Sequence, residues 1–215
     1  MAETIQIYLQ PTEIIDSNHP EIIQKAEELS DSLVTDVEKS IAIFYFVRDQ
    51  IKYNPFMPRY LPEHFKASAT IARKEGFCVQ KAVLLTALLR AADIPARLRF
   101  ATIRNHLLPG KLASLLRGNE LPDHGFAELY INGRWVKANA SFDLATCRDF
   151  IVPVEFDGEH DALFNTNTRD GRLHIEYVMF RDSYNNNVPV EKIVEWVTPV
   201  LTSEAKKIIL CQQDR

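Results

Sequence analysis

The chain has 215 residues, 46% hydrophobic and 25% charged, with ample material for a core and a length suited to one large domain. Its 25 lysines and arginines stand against 29 aspartates and glutamates, a formal net charge of -4, which argues against a dedicated nucleic-acid binder. No apolar stretch is long enough to span a bilayer, and three cysteines without short spacing form neither a disulfide framework nor a paired-cysteine zinc site.

The opening MAETIQIYLQ has no basic start followed by an apolar run, so no signal peptide is read there. The expectation is a cytosolic protein with reduced thiols and neither a membrane nor a nucleic-acid partner. Seven glycines in the whole chain and no repeat or Gly/Ser tract point to one domain over 1–215.

The alternation of Ile5, Ile7 and Leu9 predicts a short edge strand. Pro20 followed by Glu21 starts a helix running to about Leu29. Thr35 and Glu38 form a capping-box pattern before IAIFYFVRDQI. In that helix Ile41, Phe44, Tyr45 and Ile51 mark an inner stripe, while Ile43, Phe46 and Val47 make most faces apolar and predict deep burial. Pro55, Pro58 and Pro62 then impose an irregular segment.

CVQKAVLLTALLRAAD is the clearest helix, stopped before Ile94-Pro95. Asp93 at its end is a tolerable left-handed residue. ARLRFATIRNH alternates Leu98, Phe100 and Thr102 against Arg97, Arg99 and Ala101, as a strand does. KLASLLR, within 107–121, is a short amphipathic piece, either a lid or a surface helix burying Leu112, Leu115 and Leu116. HGFAELYI and RWVKANA are strands joined by Asn132-Gly133, the strongest short hairpin signal. RLHIEYVMF is a further strand, and VPVEKIVEWV and SEAKKIILCQQ are helices. Helices first and strands in the middle give an α+β class with an antiparallel sheet.

Cys78 follows Gly76 at the opening of an apolar helix. Free N–H groups and the positive dipole end there favour thiolate and offer donors to an oxyanion. A small buried hydrophobe is the other reading, and position alone leaves both open. The two-residue hairpin loop puts Ile131 opposite Arg134, hence Phe126 opposite Asn139 and His124 opposite Ser141. His124 and Asn139 then share one sheet face as diagonal neighbours, unless a bulge shifts the register. An imidazole base held by an amide suits a cysteine-histidine-asparagine enzyme.

EGFCVQKAVLLTALLRAADIPARLR, HGFAELYINGRWVKANASFD and the upstream FYFVRDQIKY resemble segments of the transglutaminase-like superfamily, in order and spacing, over roughly residues 40 to 143. The resemblance implies a papain-like α+β core, about 35–145, with the cysteine helix packed on an antiparallel sheet. It also implies acyl transfer through a thioester. Cys78 matches the nucleophile, His124 the base and Asn139 the usual aspartate position, with Asp143 as alternative partner of the histidine. No cofactor or metal is needed for that chemistry.

The expected substrate is a peptide or small amide. Hydrolysis is preferred over transfer to an amine, and a non-catalytic binding module that keeps the fold is the competing class. Asp157, Glu159, His160 and Asp161 can be drawn as metal ligands but read as a solvated acidic loop. His106 and His174 are alternative bases, and His19 and His64 show no partners. Cys147 and Cys211 read as packing residues. Arg97, Arg99 and Arg104 form either a solvated strand face or a cationic face for an acidic substrate.

Overall fold

The computed structural model describes residues 5–185 and 187–211. Helix α1 (Pro20–Ser30) opens on its proline with Glu21 in the first turn, where the missing N–H breaks no bond. Helix α2 (Asp36–Gln50) begins with the full capping box. The Glu38 N–H donates to Thr35 Oγ1 at 3.2 Å, and the Thr35 N–H donates to the Glu38 carboxylate at 3.0 Å.

Two early expectations fail. Ile7–Leu9 form a 3-10 turn rather than an edge strand. A period of two over five residues cannot hold a strand without a neighbour, and Tyr8 instead packs edge-on against Trp135 at 4.7 Å. Helix α2 is one-sided rather than deeply buried: Ile43, Phe44 and Val47 are buried, whereas Ile41, Tyr45 and Phe46 are half-buried. Tyr45 and Phe46 lie against the cations of Arg48 and Lys25, and the Tyr45 hydroxyl donates to Glu155 at 2.7 Å. Such partners suit rings at a wet boundary.

Strand β1 (Lys52–Tyr53) pairs in parallel with β2 (Glu75–Gly76), on either side of helix α3 (Ala67–Arg73). This small ladder sets Tyr53 opposite Gly76, two residues before Cys78. Helix α4 (Cys78–Ala91) follows, and every residue from Val79 to Arg90 is buried. It is packed by α1, α2 and α3 and by the main sheet, which explains its apolarity on all sides. Asp93 ends the turn at φ +61°, the left-handed conformation expected of it.

The main sheet comprises β3 (Ala96–Asn105), β4 (Glu120–Ile131), β5 (Arg134–Ala138) and β6 (Ile175–Tyr184). It is antiparallel throughout in the order β5-β4-β3-β6. Asn132 (φ +51°) and Gly133 (φ +81°) make the hairpin turn, a conformation those residue types favour. The β4–β5 register runs as expected from Ile131↔Arg134 to Ala127↔Ala138. The ladder ends there, so the expected pairs Phe126–Asn139 and His124–Ser141 do not form: the Asn139 N–H turns instead to the Ala162 carbonyl at 2.9 Å.

The expected alternation in β3 breaks at Ala101. There β3 pairs Ala101 with His124 but Ile103 with Leu121, so β4 carries one extra residue. Such a bulge re-aims the side chains beyond it.

Residues 107–121 fold as helix α5 (Gly110–Ala113) and a turn that bury Leu112, Leu115 and Leu116. These pack with helices α6 (Val190–Val197) and α7 (Ser203–Leu210) in a second apolar cluster. The last two residues of the predicted helix SEAKKIILCQQ lie outside the described residues. No helix among the described residues is long and apolar enough to cross a membrane.

Candidate active site

Cys78 is the first residue of α4, and the N–H groups of Val79 and Gly125 donate to its sulfur. The helix start is held by Gln80. Its side-chain oxygen accepts the Phe77 N–H at 3.2 Å, and its amide nitrogen donates to the Pro58 and His64 carbonyls at 3.2 and 2.7 Å. Gly76 makes room for this cap, because a Cβ there would stand 3.0 Å from Gln80 Cβ. Burial pushes the Cys78 thiol up to about 12, with the Asp123 carboxylate adding and the two N–H groups opposing. Dehydration of the anion thus works against the bias toward thiolate expected of the helix start.

Cys78 and His124 line one cavity of about 240 Å³. The bulge in β4 explains why two successive residues, Asp123 and His124, both reach it. His124 is buried among Phe126, Phe164 and Tyr177, with ring centroids 5.1 Å apart for Phe164 and 6.0 Å for Tyr177. This apolar setting pulls its basicity down to about 3, so the imidazole is neutral at pH 7.

Asn139 is buried nearby and shares Tyr177 with His124. Its Nδ2 donates to the Tyr177 hydroxyl at 3.4 Å, while its oxygen accepts from the Ser141 hydroxyl at 2.5 Å and the Ser141 N–H at 3.3 Å. No hydrogen bond joins Asn139 to His124, whose Nε2 has no partner. Asp143 is committed elsewhere: one carboxylate oxygen accepts the Tyr53 N–H and the other the Thr146 N–H, each at 2.6 Å.

Three lining residues escape a reading of the sequence. Arg59 and Asp123 form a buried ion pair at 3.0 Å in the cavity wall, with the Arg59 guanidinium over the Phe77 ring at 4.0 Å. Tyr53 stands beside Cys78 through the β1–β2 ladder and packs on Phe142 at 4.9 Å. Among the described residues, three buried side-chain nitrogens have no hydrogen-bond partner: Arg59 Nε, His124 Nε2 and His174 Nε2. All three side chains belong to residues that line this cavity, whereas buried polar atoms are normally paired.

The remaining candidates have ordinary roles. His106 sits with Glu176 at 2.6 Å near the surface. His19 caps α1 by accepting the Glu21 N–H, and His64 accepts the Leu61 N–H. Arg97 and Arg99 both pair with the buried Glu128, at 2.7 and 2.8 Å, and Arg104 pairs with Glu120 at 2.7 Å. Asp157 accepts the Glu159 and His160 N–H groups, and Asp161 pairs with Lys137 at 2.5 Å. Among the described residues no group of three or more His, Cys, Asp or Glu is set to hold a metal ion. Cys147 is buried and Cys211 exposed, and neither lines the cavity.

A family profile described as "Transglutaminase-like superfamily" matches residues 23–140, a stretch that contains Cys78, His124 and Asn139. No curated protein matches the sequence. Among solved structures, a candidate cysteine protease from Cytophaga hutchinsonii is similar at TM-score 0.50 and 19% identity, over 86% of this chain and 61% of that one. The periplasmic domain of TgpA from Pseudomonas aeruginosa gives 0.49 at 21% identity, over 69% and 50% of the two chains. A candidate protease from Parabacteroides distasonis gives 0.42 at 18% identity, over 64% and 25%. The chain spans less than two thirds of the length of each of these structures.

Proposed function

Because the chain belongs to the transglutaminase-like superfamily, we propose that it is a cysteine-dependent enzyme that hydrolyses an amide or peptide-type bond through a thioester. The observation that carries this reading is the meeting of Cys78 and His124 in one cavity, with buried nitrogens left unpaired around it.

In this reading neutral His124 takes the proton of the Cys78 thiol as sulfur attacks the carbonyl carbon. The new S–C bond forms while the carbonyl π electrons move to oxygen, and the Cys78 N–H at the helix start donates to that oxyanion. Collapse breaks the C–N bond, and the imidazolium returns its proton to the departing amine. Water then enters and His124 takes one of its protons as the oxygen bonds to the acyl carbon; the C–S bond breaks, the imidazolium returns that proton to sulfur, and the carboxylic acid leaves and ionises in solvent.

Asn139 is the residue that orients the imidazole. It already shares Tyr177 with His124, and rotation of its amide away from Ser141 would offer an acceptor to the unpartnered Nε2. Asp143 is the weaker choice for this role, because its two oxygens already accept the Tyr53 and Thr146 N–H groups.

One observation favours a second reading. His124 Nε2 lacks a bonded acceptor and burial favours the neutral thiol, as a binding module that kept the fold would show. Kinetics of Asn139→Ala and Asp143→Ala separate the two. The enzyme reading expects Asn139→Ala to lower kcat on an activated amide by 10-fold or more with little change in unfolding temperature. Asp143→Ala is expected to act chiefly on stability. Adding a primary amine to the same assay distinguishes hydrolysis from transfer by the product's mass.

A further inference from the structure

Cys78 opens on a cavity with two chemically different walls. One belongs to the main body and sets Tyr53, Arg59, Asp123 and His124 among the apolar Phe77, Ile103, Phe142, Ile151 and Phe164. The other is a roof made by two segments far apart in sequence, the β3–β4 insertion and the C-terminal helices. Its contributions are aliphatic, led by Leu107, Leu112, Leu116, Val197, Leu201 and Ile209. These segments also contain Lys111, Arg117, Glu191, Lys192 and Glu204, yet none of those charges lines the cavity.

The roof is anchored by backbone bonds. The Arg117 N–H donates to the Val200 carbonyl at 2.8 Å and the Thr202 N–H to the Leu115 carbonyl at 3.0 Å, flanking a Leu116–Leu201 bridge. The Arg59 N–H donates to the Ile209 carbonyl at 3.2 Å, tying the roof to the ion-paired wall. Its apolar cluster is separate from the main core. The cavity's 240 Å³ equals about eight water volumes at about 30 Å³ each, room for a chain of about six to eight carbon atoms.

We propose that the roof is an acyl pocket: with the scissile carbonyl at Cys78, the acyl side of the substrate carries a hydrocarbon chain that lies against Leu112, Leu116, Leu201 and Ile209. This rests on the enzymic reading given above and names its substrate class. The shared chemistry is an amide whose acyl part ends in an aliphatic group, supplied either by a fatty acyl amide or by a large apolar side chain of a peptide. Each methylene withdrawn from water contributes about a fourfold gain in affinity.

Calorimetry on the Cys78→Ala protein tests the pocket without turnover, using octanamide, acetamide and N-acetyl-leucinamide as probes. Octanamide is expected to bind at least 100-fold more tightly than acetamide. Leu116→Trp, which fills the space, and Leu112→Asn, which puts a polar group into it, should each weaken octanamide 10-fold or more in protein that still unfolds in a cooperative thermal transition. Tighter binding of N-acetyl-leucinamide than of octanamide assigns the pocket to a peptide side chain, and the reverse order to a fatty chain. Octanamide binding no tighter than acetamide, or indifferent to both substitutions in folded protein, overturns the proposal. Retained binding with no Cys78-dependent cleavage of octanoyl p-nitroanilide by the unsubstituted protein contradicts the enzymic reading and leaves the pocket standing.

Discussion

A Cβ on Gly125 would stand 3.0 Å from Cγ2 of Val79 and 3.3 Å from its Cα, so the second residue of the Cys78 helix presses directly on the strand that bears His124. That contact, with the Gly125 N–H directed at the Cys78 sulfur, brings the helix start and the histidine strand together beside the cavity. Gly125→Ala is expected to destabilise the fold by about 1–3 kcal/mol through overpacking and to lower activity further by displacing the helix start. Val79→Ala in the same chain removes the Cγ2 clash and should recover part of the loss. Urea unfolding of the single and double variants measures the coupling. Additive effects would contradict a direct contact.

The titration of His124 sets the pH dependence. Burial lowers it from 6.5 to about 3, so between those values the unfolded chain binds a proton that the folded chain does not. Stability from this group is complete above pH 6.5 and falls as pH drops toward 3, by up to about 1.4 kcal/mol per pH unit. With the thiol at about 12, kcat/KM should be level from pH 5 to 9. An acid limb centred near 6.5 would contradict a neutral buried imidazole.

Asp123 acts in two opposed ways. Its pair with Arg59 at 3.0 Å is buried on both sides, and Asp123→Asn leaves an uncompensated cation, a loss of about 3–5 kcal/mol. The same carboxylate raises the Cys78 thiol, so its removal lowers that value and should speed iodoacetamide labelling of folded protein at a given pH. Slower labelling would show that Arg59 and Asp123 position the sulfur rather than repel its charge.

Lys81, three residues into the same helix, is fully buried and donates to the Arg48 and Ile51 carbonyls at 3.1 and 2.6 Å. Burial lowers it from 10.5 to about 7. Between those values only the unfolded chain holds the proton, so stability rises with pH across the window by up to about 1.4 kcal/mol per unit. Lys81→Met should flatten that slope. Urea midpoints at pH 7, 8 and 9 provide the measurement, and an unchanged slope would assign it to other groups.

Much of this arrangement is legible in the sequence. The capping box at Thr35 and Glu38, the Asn132-Gly133 turn and the end of α4 at Asp93 depend on local chemistry, so residue type suffices to place them. Because the hairpin fixes the register by counting, the Ala127↔Ala138 pairing follows too.

What the sequence hides is long-range. The β4 bulge depends on how two strands meet, and without it the consecutive Asp123 and His124 would face opposite ways. Arg59 lies in a proline-rich irregular stretch and gains its meaning only by meeting Asp123. Tyr53 reaches the cavity through a two-residue parallel ladder, too short to leave a periodic signal. The pattern overstates the burial of α2 because Tyr45 and Phe46 count as apolar in it, while their cation partners hold them at the boundary.

The decisive measurement is the identity of the atom that carries the acyl group. The protein is mixed with an activated octanoyl ester, quenched in acid within a turnover, and digested for peptide mass mapping. The expected result is an octanoyl thioester on Cys78, sparse labelling of Cys147 and Cys211, and slower formation of the adduct in His124→Ala. Equal acylation of all three cysteines, or labelling of Cys78 at the same rate without His124, would contradict it.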